Sequence, residues 1–157
     1  MQRISPAKAS DLPLIYRFIQ GLAEYERLEM TATEESIGKA LFGERPYAEV
    51  VIGYQDEAPA GFALFFPVLS TFLGKPGIYL EDLFVLPEHR GKGLGKALLR
   101  HMAVLALERD CAYVEWGVLD WNTPSIEFYK SLGARPLAEW TKYRLQGEAL
   151  RSGLNGR

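Results

Sequence analysis

The sequence has little of the side-chain chemistry that disulfides and metal sites need. Its 157 residues contain one cysteine, Cys111, and two histidines, His89 and His101. A single cysteine excludes an intrachain disulfide and favours a reducing compartment. The three residues lie far apart and do not have the spacing of metal ligands, so we predict no metal site.

An excess of charge and long apolar runs are also missing. Lys and Arg number 18 against 20 Asp and Glu, a formal net charge of -2, which gives no electrostatic footprint for nucleic acid or an anionic membrane. No apolar stretch has the length that crosses a bilayer, and residues 1–14 contain Pro6 and Pro13 rather than a signal-peptide core. We expect a cytoplasmic protein with a single domain over residues 1–157.

The hydrophobic pattern alternates between helical and strand periods. It predicts an α/β fold in which helices flank a mixed sheet. Two of the strands, 47–54 and 60–69, form an antiparallel hairpin. Helices are predicted near 11–27, 33–42, 93–109 and 124–132, and strands near 2–4, 47–54, 60–69, 78–86, 112–119 and 142–146.

The segment with the most specific chemistry is a glycine-rich turn between a strand and a helix. It reads Arg90-Gly91-Lys92-Gly93-Leu94-Gly95-Lys96. Its glycines permit positive φ and a close approach of the backbone to a ligand. The free amides at the start of the next helix favour a pyrophosphate, and Arg90 and Lys92 add positive charge. A tight turn with solvated basic residues is the alternative.

Two other phosphate-binding motifs fail on spacing. The dinucleotide fingerprint counted from Gly91 needs a sixth-position glycine, where this chain has Lys96. The P-loop needs a glycine at the position of Arg90 and a Ser or Thr at the position of Ala97. A nucleotide-binding protein is therefore disfavoured.

The Arg-x-x-Gly-x-Gly pattern of residues 90–95 resembles the acetyl-coenzyme A (acetyl-CoA) signature of the GNAT superfamily. Further blocks resemble the diamine (spermidine/spermine) acetyltransferases, and the tail is similar to their thialysine N-epsilon-acetyltransferase branch. The resemblance implies a GNAT fold with a mixed, mostly antiparallel sheet, an acetyl-CoA-dependent N-acetyltransferase that acts on a primary amine, and a homodimer. The blocks are 22–26, 79–85, 119–122, 128–134 and, in the tail, 146–150.

The resemblance also implies where acetyl-CoA binds. The backbone amides from Arg90 to Lys96 would hold the pyrophosphate, and the backbone of Phe84 and Val85 would pair with the pantetheine arm. Asn122 and Ser125 would contact the cofactor near its thioester and arm. A helix-start turn is an equal alternative for Asn122, because a proline follows two residues later.

Acetylation of an amine requires proton transfers. A primary amine has a pKa near 10.4 in water, so a base must remove a proton, and an acid assists the departing sulfur. The resemblance implies that Tyr129 is this acid. The alternative is that Tyr129 only packs in the core as an aromatic side chain. We expect Glu81 to act as the base, through a water molecule, and Asp82 to hold an ammonium group of the substrate. The opposite assignment of these two roles stays open. Adjacent strand residues face opposite ways unless a β-bulge intervenes.

The identity of the amine depends on weaker signals. Tyr25 and Glu26 lie where the family lines its amine pocket, although a solvated helix face is the alternative. Polyamine acetyltransferases carry Asp-Pro-Trp where this chain has residues 70–72, Ser-Thr-Phe. A lysine-like amine such as thialysine therefore fits better than a long polycation. A non-catalytic acetyl-CoA sensor and a peptide or protein N-acetyltransferase are the alternative functions.

Overall fold

The computed structural model describes residues 1–154. They form two compact units, Met1–Gly117 and a second unit that starts at Val118. Short 3-10 turns precede α1 and follow β4. The elements are β1 (Gln2–Pro6), α1 (Leu12–Glu26), α2 (Glu34–Phe42), β2 (Glu49–Gln55), β3 (Ala58–Ser70), β4 (Lys75–Val85), α3 (Leu94–Glu108), β5 (Val114–Glu115), α4 (Thr123–Ser131) and α5 (Glu148–Leu154).

The sheet lies in the first unit and has the strand order β1-β2-β3-β4-β5. The first four strands are antiparallel neighbours, and β5 is parallel to β4. A parallel pair needs a crossover connection, which α3 provides between β4 and β5. The predicted mixed, mostly antiparallel sheet with flanking helices is confirmed.

Both faces of the sheet are covered, because consecutive residues of its central strands are buried. Val50 and Ile52 of β2 join a core cluster with Ile15 and Phe18 of α1. A Cβ added to Gly53 would lie 3.0 Å from Leu94, so the opposite face of β2 packs against α3. Burial on both faces explains why the central strands read as continuous apolar runs.

The helices begin largely where the sequence places their caps. The backbone N–H of Ser36 donates to Oγ1 of Thr33 at 3.0 Å, which confirms the predicted cap of α2. α1 ends before Arg27, which has a left-handed φ of 59°. No helix in the described part of the chain is long and apolar enough to cross a membrane.

Two strand predictions are wrong: one strand is shorter than predicted, and the other does not form. The strand predicted at 112–119 pairs only at Val114–Glu115. Residues 142–146, predicted as a last strand, have no regular secondary structure, and Tyr143 is 93% exposed. A strand persists only where a neighbour pairs with its N–H and C=O groups, and within residues 1–154 no strand pairs with this segment. The tail instead forms the short helix α5.

Candidate active site

A β-bulge interrupts β4 at its two carboxylates. Leu64 of β3 pairs with Asp82, and the next residue, Phe65, pairs with Leu80, so Glu81 has no residue opposite it. A bulge changes the direction of side chains along a strand. Glu81 and Asp82 consequently line the same cavity, although they are adjacent in the chain.

This cavity has a volume of about 460 Å³ and lies within the first unit. Helices α1 and α2, the loop before β2, and strands β3 and β4 contribute its walls. Glu81 and Asp82 are the charged members of the lining. The other lining residues are Ile19, Ile37, Ala40, Leu41, Tyr47, Ala48, Leu64 and Phe66.

The two carboxylates of the cavity and that of Glu26 influence one another. The carboxyl of Asp82 is mostly buried, and this burial, together with the negative charges of Glu81 and Glu26, raises its pKa to about 7. Burial and the charge of Glu81 also raise the pKa of Glu26. Within residues 1–154, no lysine or arginine forms an ion pair with any of the three. A cation bound here would offset the repulsion that they share.

The end of α1 contacts the glycine-rich turn through Tyr25. The guanidinium carbon of Arg90 lies 5.0 Å from the centre of the Tyr25 ring. Arg90 also donates from Nε to the carbonyl oxygen of Val85 at 2.8 Å, which ties the turn to the end of β4. Tyr25 is 37% exposed, and neither it nor Glu26 lines the cavity itself.

The glycine-rich turn has the backbone that its sequence predicts. Gly91 and Gly93 have φ values of 75° and 88°, which other residues adopt only with strain. Gly93 is the N-cap of α3 and no side chain caps this helix. The first amides of α3 are therefore open to an anionic ligand.

Gly95 provides a test of whether the turn fits acetyl-CoA. It lies in the first turn of α3, and a Cβ added to it would meet only Cγ2 of Val85, at 3.9 Å. Packing within the protein therefore does not require a glycine, although glycine costs helix stability. A ligand that approaches the backbone closely does require one, so the residues present fit a bound pyrophosphate.

The edge of β4 beside the turn is not paired with a strand of the described chain. In the described residues, β5 pairs with Ile78 and Tyr79 and with no later residue of β4. Phe84 and Val85 therefore have no strand partner on that side, while they pair with Phe62 and Gly61 of β3 on the other. An extended ligand can pair with the N–H and C=O groups of a strand edge that are not already bonded; the carbonyl oxygen of Val85 is not one of them, because it accepts from Arg90.

Asn122, Ser125 and Tyr129 belong to the second unit. Asn122 is 6% exposed and is the N-cap of α4, where its side chain accepts from the N–H of Ser125 at 3.4 Å. This hydrogen bond is the one expected of a helix-start turn, which the sequence offered as the alternative to a cofactor contact for Asn122. Tyr129 is half-buried in α4, and its ring centre lies 5.7 Å from that of Phe128.

Sequence reasoning missed the walls of the cavity. Ile37, Ala40 and Leu41 of α2, and Tyr47 in the following loop, line it beside the carboxylates. The only signal of the three helix residues in the sequence is the apolar face of a short amphipathic helix, which is equally typical of residues packed in the core, and Tyr47 was predicted as the start of a strand. Among residues 1–154, no group of His, Cys, Asp and Glu side chains is arranged to hold a metal ion.

Comparison with known families shows which family this chain belongs to. The profile of the Acetyltransferase (GNAT) family matches residues 15–134, which include the bulge, the cavity and the glycine-rich turn. The chain belongs to the GNAT acetyltransferase family. It is an acetyl-CoA-dependent N-acetyltransferase, as the resemblance of its sequence predicted.

Individual relatives agree with this assignment. A thialysine N-epsilon-acetyltransferase of Sus scrofa is 38% identical, over 94% of this chain and 94% of the relative. An L-ornithine N5-acetyltransferase of Arabidopsis thaliana is 32% identical, over 96% of this acetyltransferase and 86% of the relative. An integron cassette protein from the mobile metagenome of V. cholerae superposes with a TM-score of 0.83 at 27% identity, over 99% and 98% of the two chains. The predicted likeness to the thialysine branch is confirmed.

Proposed function

We propose that this acetyltransferase moves the acetyl group of acetyl-CoA directly to a primary amine of a small cationic molecule, in a ternary complex. The observation that carries the proposal is the cavity with two carboxylates at the β4 bulge, three to four residues before the strand end that adjoins the glycine-rich turn. The names of two relatives give thialysine and L-ornithine, both small amines, as their acceptors.

Acetyl-CoA supplies an acetyl group activated as a thioester. The amides of Arg90 to Lys96, including those of Gly91, Lys92, Gly93, Leu94 and Gly95, bind its pyrophosphate. The backbone of Phe84 and Val85 pairs with its pantetheine arm, and Asn122 and Ser125 contact it near the thioester and arm. Two observations support the placement of the pyrophosphate: no side chain caps the start of α3, and packing within the protein does not require a glycine at position 95.

The reaction exchanges a C–S bond for a C–N bond. An ammonium first gives a proton to Glu81 through a water, and its nitrogen then forms a bond to the acetyl carbon while the bond to sulfur breaks. Tyr129 gives a proton to the departing thiolate and takes up the second proton, which the nitrogen loses as the amide forms. Glu81 is exposed, so the proton that it receives can pass to solvent.

Asp82 holds the substrate ammonium in this scheme. Its burial and its two acidic neighbours make the free carboxylate costly, and a cation removes that cost. Because its pKa is about 7, Asp82 is also suited to accept a proton itself. The exchange of roles between Glu81 and Asp82 is therefore the alternative that the experiment must separate.

The test measures thiol release from acetyl-CoA with free amines and with peptides that carry an equally charged lysine. We expect turnover with a free amine, and its loss in Glu81→Gln and Tyr129→Phe. Matched controls are Glu108→Gln and Tyr143→Phe, since both residues are exposed. Acetyl-CoA binding without any turnover would support the sensor instead, and preference for peptides would support a protein N-acetyltransferase.

We further propose that the two units act as one acetyltransferase domain over residues 1–157 and that the protein is a homodimer. The single domain follows from the length of the chain, and the homodimer from the resemblance to diamine acetyltransferases. Light scattering of the purified protein distinguishes a dimer from a monomer of 17.7 kDa. The cytoplasmic location stays a prediction from composition.

A further inference from the structure

A side chain of the sheet is hydrogen-bonded to the backbone of the glycine-rich turn. Nε2 of Gln2, in β1, donates to the carbonyl oxygen of Lys92 at 2.8 Å. The same nitrogen donates to Oε1 of Gln55, in β2, at 3.0 Å. Gln2 and Gln55 are opposite each other in the two strands, which brings their side chains together. Both hydrogen atoms of the Gln2 amide are therefore in use, and one of them binds the turn.

The orientation of these amides follows from the carboxylate of Asp56. Nε2 of Gln55 donates to Oδ2 of Asp56 at 3.2 Å. An ionised carboxylate only accepts hydrogen bonds, so Gln55 directs its nitrogen to Asp56 and its oxygen to Gln2. The oxygen of Gln55 can accept only from the nitrogen of Gln2, and that nitrogen also reaches Lys92. The network thus makes Gln2 a donor to the turn.

The carbonyl group that Gln2 binds belongs to the peptide between Lys92 and Gly93. This peptide is trans, and the C=O and N–H of a trans peptide point in opposite directions. The N–H of Gly93 is therefore directed away from Gln2. Gly93 is exposed, and a Cβ added to it would have Nε2 of Gln2, 4.0 Å away, as its nearest contact in the described chain. The backbone at Gly93 is thus accessible to a ligand.

Glycine makes the orientation of this peptide easy to reverse. Gly93 has a φ of 88°, and a glycine adopts either sign of φ at little cost. Rotation of the peptide would turn the carbonyl oxygen of Lys92 to the side where the N–H of Gly93 now lies. A carbonyl oxygen only accepts and repels phosphate oxygens, whereas an N–H donates to them. The hydrogen bond from Gln2 opposes this rotation.

Resting on the proposed binding of the pyrophosphate at this turn, we infer that Gln2 is a positioning residue for acetyl-CoA. It holds the carbonyl oxygen of Lys92 and so presents the N–H of Gly93 to the phosphate oxygens. Gln55 keeps the amide of Gln2 in the orientation that donates. Both glutamines act through the backbone of the turn, so their effect is on the affinity for acetyl-CoA rather than on the chemical step.

The substitution Gln2→Met tests the inference, because methionine has a similar length and no N–H to donate. We expect the Kd for acetyl-CoA, measured by calorimetry, to rise about tenfold, since a hydrogen bond to a charged group is lost or misdirected. With thialysine as the acceptor, the KM for acetyl-CoA should rise in parallel. The kcat at saturation and the KM for thialysine should stay at the wild-type values.

Two further variants accompany this measurement. Gln55→Met should also raise the Kd for acetyl-CoA, but by less, because Gln2 keeps its own donor. It decides the inference by itself if Gln2→Met does not fold. The matched control is Gln20→Met, which makes the same exchange at an exposed position of α1 and should leave the Kd unchanged.

Nuclear magnetic resonance observes the amide of Gly93 directly. Lys92-Gly93 is the only Lys-Gly pair in the sequence, so isotope labels on lysine carbonyl carbon and glycine nitrogen together select this one peptide. Saturation with coenzyme A should move the Gly93 amide proton of the wild type downfield, as expected of a charge-assisted hydrogen bond.

The outcomes separate this inference from the proposed function. Wild-type affinity in Gln2→Met, or an unmoved Gly93 resonance in the saturated wild type, would overturn the inference and leave amine acetylation standing. A matching loss of kcat and of thialysine affinity would also overturn it, because general damage would then explain the effect. A wild type that binds no acetyl-CoA would contradict the proposed function itself. If the wild type binds acetyl-CoA without turnover, the Kd values and the resonance still decide.

Discussion

Asp82 weakens the fold at neutral pH, and replacing it with asparagine should reveal by how much. Its pKa is about 7 in the folded protein against an ordinary value of 3.8. A raised pKa means that the folded state prefers the protonated carboxyl. The contribution of this protonated carboxyl to the free energy of unfolding is complete below about pH 4 and is lost as the pH rises through about 7. A shift of roughly three pKa units corresponds to about 4 kcal/mol.

The substitution Asp82→Asn removes this titration while it keeps the side-chain shape. Between pH 4 and pH 8, wild type should therefore lose about 4 kcal/mol of unfolding free energy more than the variant does. Any cost of burying an amide is the same at both values of pH, so it cancels in this comparison. The variant should nonetheless be a poor enzyme, because it has lost the proposed contact with the ammonium.

Urea unfolding at pH 4 and pH 8 measures this difference for wild type, Asp82→Asn and the control Asp120→Asn, which replaces an exposed acid. The control should follow the wild type. If wild type and Asp82→Asn lose stability in parallel, the carboxyl is not desolvated in the way that its burial and its neighbours Glu81 and Glu26 imply. The description of Asp82 as a buried carboxyl repelled by two neighbouring acids would then fail.

Three other results are expected. The affinity for a cationic amine, measured by calorimetry, should fall as the pH drops through about 7 because Asp82 takes up a proton; a flat profile would contradict its role as the anchor. Glu26→Gln should move that transition to lower pH, because one of the negative charges that raise the pKa of Asp82 is gone; an unchanged midpoint would show that Glu26 is too far away to matter. Gly95→Ala should keep or raise thermal stability, by up to about 1 kcal/mol from helix propensity, yet weaken acetyl-CoA binding at least several-fold by fluorescence titration; unchanged binding would place the pyrophosphate elsewhere.

Features that depend on neighbours in the chain were predictable from the sequence. The glycine-rich turn, its positive φ values at Gly91 and Gly93, and the helix that follows are local, since glycine spacing and the 3.6-residue period act within a few residues. The cap at Thr33 and the antiparallel hairpin of β2 and β3 are local in the same sense. The family resemblance rests on the same local blocks.

Pairing between distant strands was not predictable in detail. The strand predicted at 142–146 requires a neighbour, and no residue pattern within the segment shows whether one is present. The bulge is a similar case, since only the register of β3 against β4 shows that Glu81 has no opposite residue. Without that register, alternation would place Glu81 and Asp82 on opposite faces.

The sequence by itself determined the family, the glycine-rich turn and the acidic pair at 81 and 82, because each depends on residues that are adjacent in the chain. The tertiary structure alone decided that both acids face one cavity, that α2 forms its apolar wall, and that burial raises the pKa of Asp82 to about 7. Burial and electrostatic repulsion depend on which segments pack together, and that packing joins residues that lie more than fifty positions apart, such as Glu26 and Asp82.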